Sequence, residues 1–246
     1  NLLSIIQVQF HERPVHGKID MEKIGERYVV VIENITLSNM NTLEHEHSNT
    51  GTKITTPDGS ATLVCVPTPG HSPDHCGFKL LEENSLLSGD HVLGQGTTVV
   101  QDMYAYMNSL DEMTALRPTR LYPGHGCYVA DGLDLLERYI KHRLERENQV
   151  WDLLCEKTST LLSAPSIANI LYTSTPKERL HLAAENVYKI CSSLFRKGLL
   201  SAKIMDSKEE IWIELKPNDL GPFDRVRPYL VRDVHWKALK SLRTKL

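Results

Sequence analysis

Three short segments carry side chains able to hold a divalent metal: Thr68-Pro69-Gly70-His71, Ser88-Gly89-Asp90 and Tyr122-Pro123-Gly124-His125-Gly126. Imidazole nitrogens and a carboxylate that converge on an ion, with one position left to water, make a hydrolytic centre. The ion lowers the pKa of its water to about 7 and so supplies a nucleophile at neutral pH. Singly, a His after Pro-Gly is an ordinary turn residue and an Asp after Gly an ordinary cap; the three together, in this order, point to chemistry. The intervals of 19 residues from His71 to Asp90 and 35 from Asp90 to His125 leave room for a strand hairpin and then a helical crossover. Other arrangements find less support. No Ser-His-Asp set or nucleophilic cysteine stands out, and Gly94, Gly96 and Thr97-Thr98 are not followed by the Gly-Lys-Ser/Thr of a phosphate loop.

The elements that would position these residues are legible around them. Ala61 to Thr68 reads as a strand closed by Pro69-Gly70. Phe78 to Leu81 and Ser85 to Leu87 read as two more, joined by Glu82-Glu83-Asn84, and Leu121-Tyr122 as a fourth. His71, Asp90 and His125 then each fall just beyond a strand end, where α/β folds build their sites. Tyr28 to Ile32 is a further strand candidate, whereas residues 39–60 are polar and patternless. From Asp131 the period changes: Leu136, Tyr139, Ile140, Leu144, Trp151 and Leu154 predict a long helix over about 132–156. An apolar stretch, Ile167 to Tyr172, precedes a second helix with Leu180, Ala183, Ala184, Val187, Ile190, Cys191 and Leu194 on one face and Gly198 as its stop. Leu200 to Met205 and Ile211 to Leu215 read as a two-stranded ribbon. Helix, turn, helix and ribbon make a winged-helix pattern, the alternative being a plain helical cap.

Of 246 residues, 41% are hydrophobic and 24% charged, a globular composition with material for a sizeable core. The net charge of −3 hides an asymmetry: residues 1–150 hold 12 Lys and Arg against 20 Asp and Glu, residues 151–246 hold 16 against 11. The reading that follows is a domain over 1–150, a second over 151–216 and a basic tail over 217–246, with any polyanion meeting the positive half. No stretch approaches the roughly 20 apolar residues of a membrane span, so no membrane partner is expected. Asn1 stands where an initiator Met would, which favours a missing front part. Cys65, Cys76, Cys127, Cys155 and Cys191 are odd in number, widely spaced and free of CxxC pairs. That argues against a disulfide framework or thiolate zinc site and for a reducing compartment.

The runs TPGHSPDH, SGDHVLGQGTT, DMYAYMNSL and YPGHG together resemble the metallo-β-lactamase superfamily, and within it the endoribonucleases, over about residues 8–215. The resemblance implies an αββα sandwich, N-terminally incomplete, followed by a winged-helix-like domain. It implies up to two Zn2+ ions, single-stranded RNA as substrate, and a mitochondrial matrix or cytoplasmic setting. His71 would serve the first zinc, His125 the second, and Asp90 would bridge them as the catalytic carboxylate.

The first motif departs from the pattern. Where such proteins carry HxHxDH, the counterpart here is His11-Glu12-Arg13-Pro14-Val15-His16, so His11 and His16 remain as ligands while Arg13 replaces a histidine and Val15 the aspartate. His45-Glu46-His47 is the other candidate, but it lies too close to His71 for the intervening elements and reads as surface loop. A guanidinium facing two dications would cost roughly 4 kcal/mol per unit charge at 4 Å and an effective dielectric of 20, so Arg13 points elsewhere or pairs with Asp90 or Glu12. Two functions stand side by side: a zinc hydrolase that cleaves RNA with metal-activated water, and a metal-poor pseudoenzyme that keeps the fold to bind RNA or a partner. Thioester hydrolysis of the glyoxalase II kind would use the same metal site. His75 and His91 adjoin the ligands as second supports or as exposed loop residues. His142, beside Arg138 and Arg146, reads as a solvated helix face or the lip of a substrate groove.

Overall fold

The computed structural model describes residues 6–10, 18–24, 27–33, 53–55, 59, 61–206, 211–220 and 228–239, with only the backbone before residue 53, at residue 206 and over 228–230. The chain divides into two compact units, one of residues 1–68, 74–98 and 113–136, the other of 69–73, 99–112 and 137–246. The chain passes between these units several times.

The first unit holds two sheets. In the smaller, β1 (Ile6–Phe10) runs parallel to β3 (Arg27–Glu33), and β2 (Lys18–Ile24) lies antiparallel on the other side of β3. The larger is ordered β4 (Lys53–Thr55), β5 (Thr62–Pro67), β6 (Cys76–Leu80), β7 (Ser85–Gly89), β8 (Arg120–Pro123). β4 to β7 are antiparallel neighbours, but β7 and β8 run parallel. Parallel neighbours need a long crossover, and the chain supplies it between Asp90 and Thr119, with helix α1 (Met103–Ala115) inside it. Leu63, Phe78, Leu80, Leu86 and Leu121 are buried to 1% exposure or less, which explains why these strands read as short apolar runs. The five strands expected from sequence are present within a residue or three of their ends. β4 is an addition, three residues inside the patternless region.

The second unit carries α2 (Gly132–Glu156) from Glu137 onward, α3 (Ala164–Leu171) and α4 (Leu180–Arg196). The Ser163 hydroxyl caps α3, accepting from the Ser166 amide, and Pro165 sits in its first turn. After α4 the chain turns at Gly198 with φ +73°, the left-handed conformation that glycine adopts without steric cost. The expected ribbon exists as β10 (Leu200–Asp206) and β11 (Ile211–Glu214), but it is half of a four-stranded antiparallel sheet ordered β11, β10, β12 (Val234–Ala238), β9 (Leu162–Ser163). Residues 217–246, expected as a basic tail, include a 3-10 turn over Pro217–Asp219, the short helix α5 (Pro228–Asp233) and the interior strand β12. The physical reason is alternation. Val234, Trp236 and Ala238 point into the core while His235 and Lys237 remain partly exposed, a pattern that charge counting overlooks. Trp236 is fully buried and makes T-shaped ring contacts with Tyr188 and Phe195.

Candidate metal centre

In the first unit the loops after β7 and β8 are laced by backbone hydrogen bonds. The Gly124 amide donates to the Gly89 carbonyl at 2.8 Å, and the Gly94 amide to the His125 carbonyl at 2.9 Å. This lacing brings the Asp90 and His125 side chains together, with His125 Nε2 3.4 Å from Asp90 Oδ1. Gly124 makes the approach possible, because a Cβ there would fall 2.5 Å from that oxygen. The Thr98 hydroxyl donates to the Asp90 carbonyl and pins the residue from behind. Both side chains reach solvent, His125 with 73% of its surface and Asp90 with 41%.

The donor set suits zinc. Two vertices of a tetrahedron with bonds of about 2.0–2.1 Å lie roughly 3.3–3.4 Å apart, which is the spacing between this nitrogen and this oxygen. The gap is longer than a good hydrogen bond and the right length for two ligands of one ion.

His71 belongs to the second unit. Gly70, at φ +138°, precedes it in a turn whose carbonyl accepts from the Gln101 and Asp102 amides. A Cβ on Gly70 would collide with the backbone of Tyr106. The His71 Nδ1 lies 2.8 Å from the Val99 carbonyl. A carbonyl only accepts, so Nδ1 is the donor; in the neutral ring this leaves the lone pair on Nε2, the tautomer that metal-binding histidines adopt through such a bond.

His11 and His16 lie outside the described residues, as do Arg13, Val15, His45 and His47. Among the described residues no three His, Cys, Asp or Glu side chains form a group placed to hold a metal. Of the five expected ligands, Asp90 and His125 are brought together and His71 is oriented.

Two neighbours correct an expectation. His75 and His91 are not exposed loop residues: His75 is 9% exposed and His91 fully buried, their rings 5.3 Å apart. His75 Nδ1 lies 2.7 Å from the Thr68 hydroxyl, and a Cβ on Gly89 would come 2.8 Å from its Nε2. The pair packs behind the end of β7. His142 is exposed and lines a cavity of the second unit with Arg143, Arg146 and Tyr172. His142 and Arg146 are legible from sequence as a solvated helix face or a groove lip. Arg143 and Tyr172 are far apart in sequence and carry no local signal. All five cysteines are free, and no helix among the described residues is long and apolar enough to cross a membrane.

Residues 45–125 match the family described as the metallo-beta-lactamase superfamily. The chain is similar to the beta-lactamase-like protein 2 homolog of Drosophila melanogaster, 34% identical over 157 residues, which cover 64% of this chain and 53% of that protein. It is similar also to the homolog of the same name in Caenorhabditis elegans, 36% identical over 140 residues covering 57% and 47%. The chain spans about half the length of these relatives. Among solved structures, a beta-lactamase domain protein from Burkholderia ambifaria superposes with a TM-score of 0.56 at 18% identity, covering 80% of this chain and 53% of that one. The likeness establishes a shared fold.

Proposed function

With residues 45–125 assigned to the metallo-beta-lactamase superfamily, we propose that this chain is a zinc-dependent hydrolase of the endoribonuclease kind, acting on single-stranded RNA. The observation that carries the reading is the Asp90–His125 pair, 3.4 Å apart on two laced loops. His11, His71 and Asp90 would hold one zinc, and His16, His125 and Asp90 the other. Zinc, when bound, supplies an acidified water and positive charge for the phosphodiester. The chain's own residues do the placing. The Val99 carbonyl fixes the His71 tautomer, Thr98 holds the backbone of Asp90, and Gly124 leaves room for the carboxylate. The positive balance of residues 151–246 is the proposed attraction for RNA, and α3, α4 and the β10–β11 ribbon are read as winged-helix-like.

The test is zinc content together with cleavage of a single-stranded oligoribonucleotide by the parent, Asp90→Ala and His125→Ala. Cleavage that is lost on chelation, restored by zinc and reduced at least a hundredfold by Asp90→Ala is expected. With two of the usual ligands replaced, fewer than two zinc ions should survive dialysis against a mild chelator. Thioester hydrolysis without RNA cleavage, or cleavage indifferent to chelator, overturns the reading. Arg13 and Val15 favour a second reading, a pseudoenzyme that binds RNA or a partner; RNA binding without cleavage at any zinc level decides for it.

A further inference from the structure

The second unit contains a cavity of about 210 Å3 whose wall is cationic. His142, Arg143 and Arg146 reach it from one face of α2, where residues three and four apart are neighbours. Tyr172, Thr175 and Asn186 reach it from the end of α3 and from α4, and Ile190 closes the apolar side. No carboxylate is among its described lining residues. The two guanidiniums are held rather than loose. Arg143 lies over the Tyr106 ring at 5.3 Å, and Arg146 lies over the Tyr172 ring at 5.6 Å while donating to Gln149 Oε1 at 3.1 Å. Cation–π contact of this kind orients the planar fork and leaves N–H groups for an acceptor.

We propose that this cavity is a binding site for a phosphomonoester, and that the Arg143 and Arg146 guanidiniums bind its dianion. The chemistry selects this ligand on three counts. Two fixed guanidiniums balance a charge of −2, whereas the diester inside a nucleic-acid strand brings −1. Guanidinium forks match phosphate oxygens in paired hydrogen bonds. The volume lies below the roughly 300–1,000 Å3 of sites for drug-sized ligands, so it suits a phosphate with little more than a sugar attached. Thr175 and Asn186 add a hydroxyl and an amide to contact that sugar. The phosphomonoester has two sources, a free mononucleotide or the phosphorylated end of an RNA.

Calorimetric titration in the presence of a chelator keeps the test independent of any zinc and of nuclease activity. Uridine 5′-monophosphate is expected to bind at least tenfold more tightly than uridine. Arg143→Gln with Arg146→Gln should weaken that binding at least tenfold, and Lys141→Gln, a charge change elsewhere on α2, by less than twofold. Asn186→Asp, which adds a carboxylate to the cavity without removing an arginine from its ring, should weaken it equally and guards against a double variant that fails to fold. A 5′-phosphorylated trinucleotide binding as well as the mononucleotide assigns the site to RNA ends; binding of the mononucleotide alone assigns it to free nucleotides. Equal binding of uridine and its monophosphate, or unchanged binding in Asn186→Asp and the folded double variant, overturns the proposal.

Discussion

Lys189, on α4, shows how burial and charge act on one side chain. Desolvation pushes its ammonium below the usual lysine range; Arg143 adds to the effect, and Glu185 one turn earlier opposes it. In the folded state the proton is therefore held less tightly than in the unfolded chain, whose lysine keeps its ordinary 10.5. Stability should rise as pH climbs through the folded value toward 10.5, because over that window the unfolded chain binds more protons. Lys189→Met removes the cost, so its Tm should exceed the parent's by roughly 1–2 °C at pH 7, with the gain vanishing above pH 10.5. A gain that grows with pH would reverse the sign of the argument. On the proposed reading of His11 to His16 as a metal motif, Arg13 and Val15 stand where a histidine and an aspartate would complete two sites. Arg13→His with Val15→Asp should raise both zinc content and RNA cleavage, the latter at least tenfold, or ~1.4 kcal/mol in the barrier. Each single change should recover less, since the bridged pair acts as a unit. A double variant that folds by circular dichroism yet binds no more zinc would separate this segment from the site.

Helix α1 depends on the residue before it. Asp102 caps it, accepting from the Ala105 amide at 2.9 Å, and its other oxygen accepts from Arg196 Nη1 at 2.7 Å. The carboxylate is 5% exposed, and Arg196 rests over the Tyr104 ring at 4.3 Å. Asp102→Ala removes a cap worth about 1 kcal/mol and strands a part-buried guanidinium, for a total near 3 kcal/mol. Asp102→Asn keeps the acceptor on the cap side and should cost about half as much. Chemical denaturation of the two variants checks the order; equal losses would mean the charge contributes nothing. Elements of this kind also mark what the sequence makes legible. α2 was readable to the residue over 132–156 because its apolar positions keep the helical period through seven turns, and Gly198 announced the end of α4. α1 has the same signal in Met103, Tyr106, Met107, Leu110 and Met113, all buried, and falls in the interval where the spacing of Asp90 and His125 left room for a helical crossover. The loops bearing Asp90 and His125 were legible from their Pro-Gly and Gly punctuation. The lacing between them was not, since backbone hydrogen bonds between distant loops leave no local pattern. Nor was the Arg143 and Tyr172 wall, which only folding assembles.

Across the whole molecule the distribution of charge and the order of strands set different limits. Seven Lys and Arg lie in residues 223–246, three of them (Lys240, Arg243 and Lys245) beyond the last described residue. A chain ended after Leu239 keeps β12 and should hold its thermal transition. If the positive balance attracts RNA, that chain should lose affinity most at low salt, with a shallower fall of log affinity as salt rises. A chain ended after Lys216 loses α5 and β12 and should lose the cooperative unfolding of the second unit altogether. A native-like transition in that shorter chain would show that β12 is dispensable. The place of β12 has a consequence for the way the protein is made. This strand is synthesised after both β10 and β9, yet it sits between them. At roughly 5–20 residues per second, the ribosome needs about 2–6 s to pass from Asp206 to Ala238. For that interval β10 presents a bare edge and the pocket for Trp236 stands empty. The second unit therefore cannot finish folding vectorially as it emerges, and a nascent chain stalled in that window would be a target for a chaperone that recognises unpaired strands.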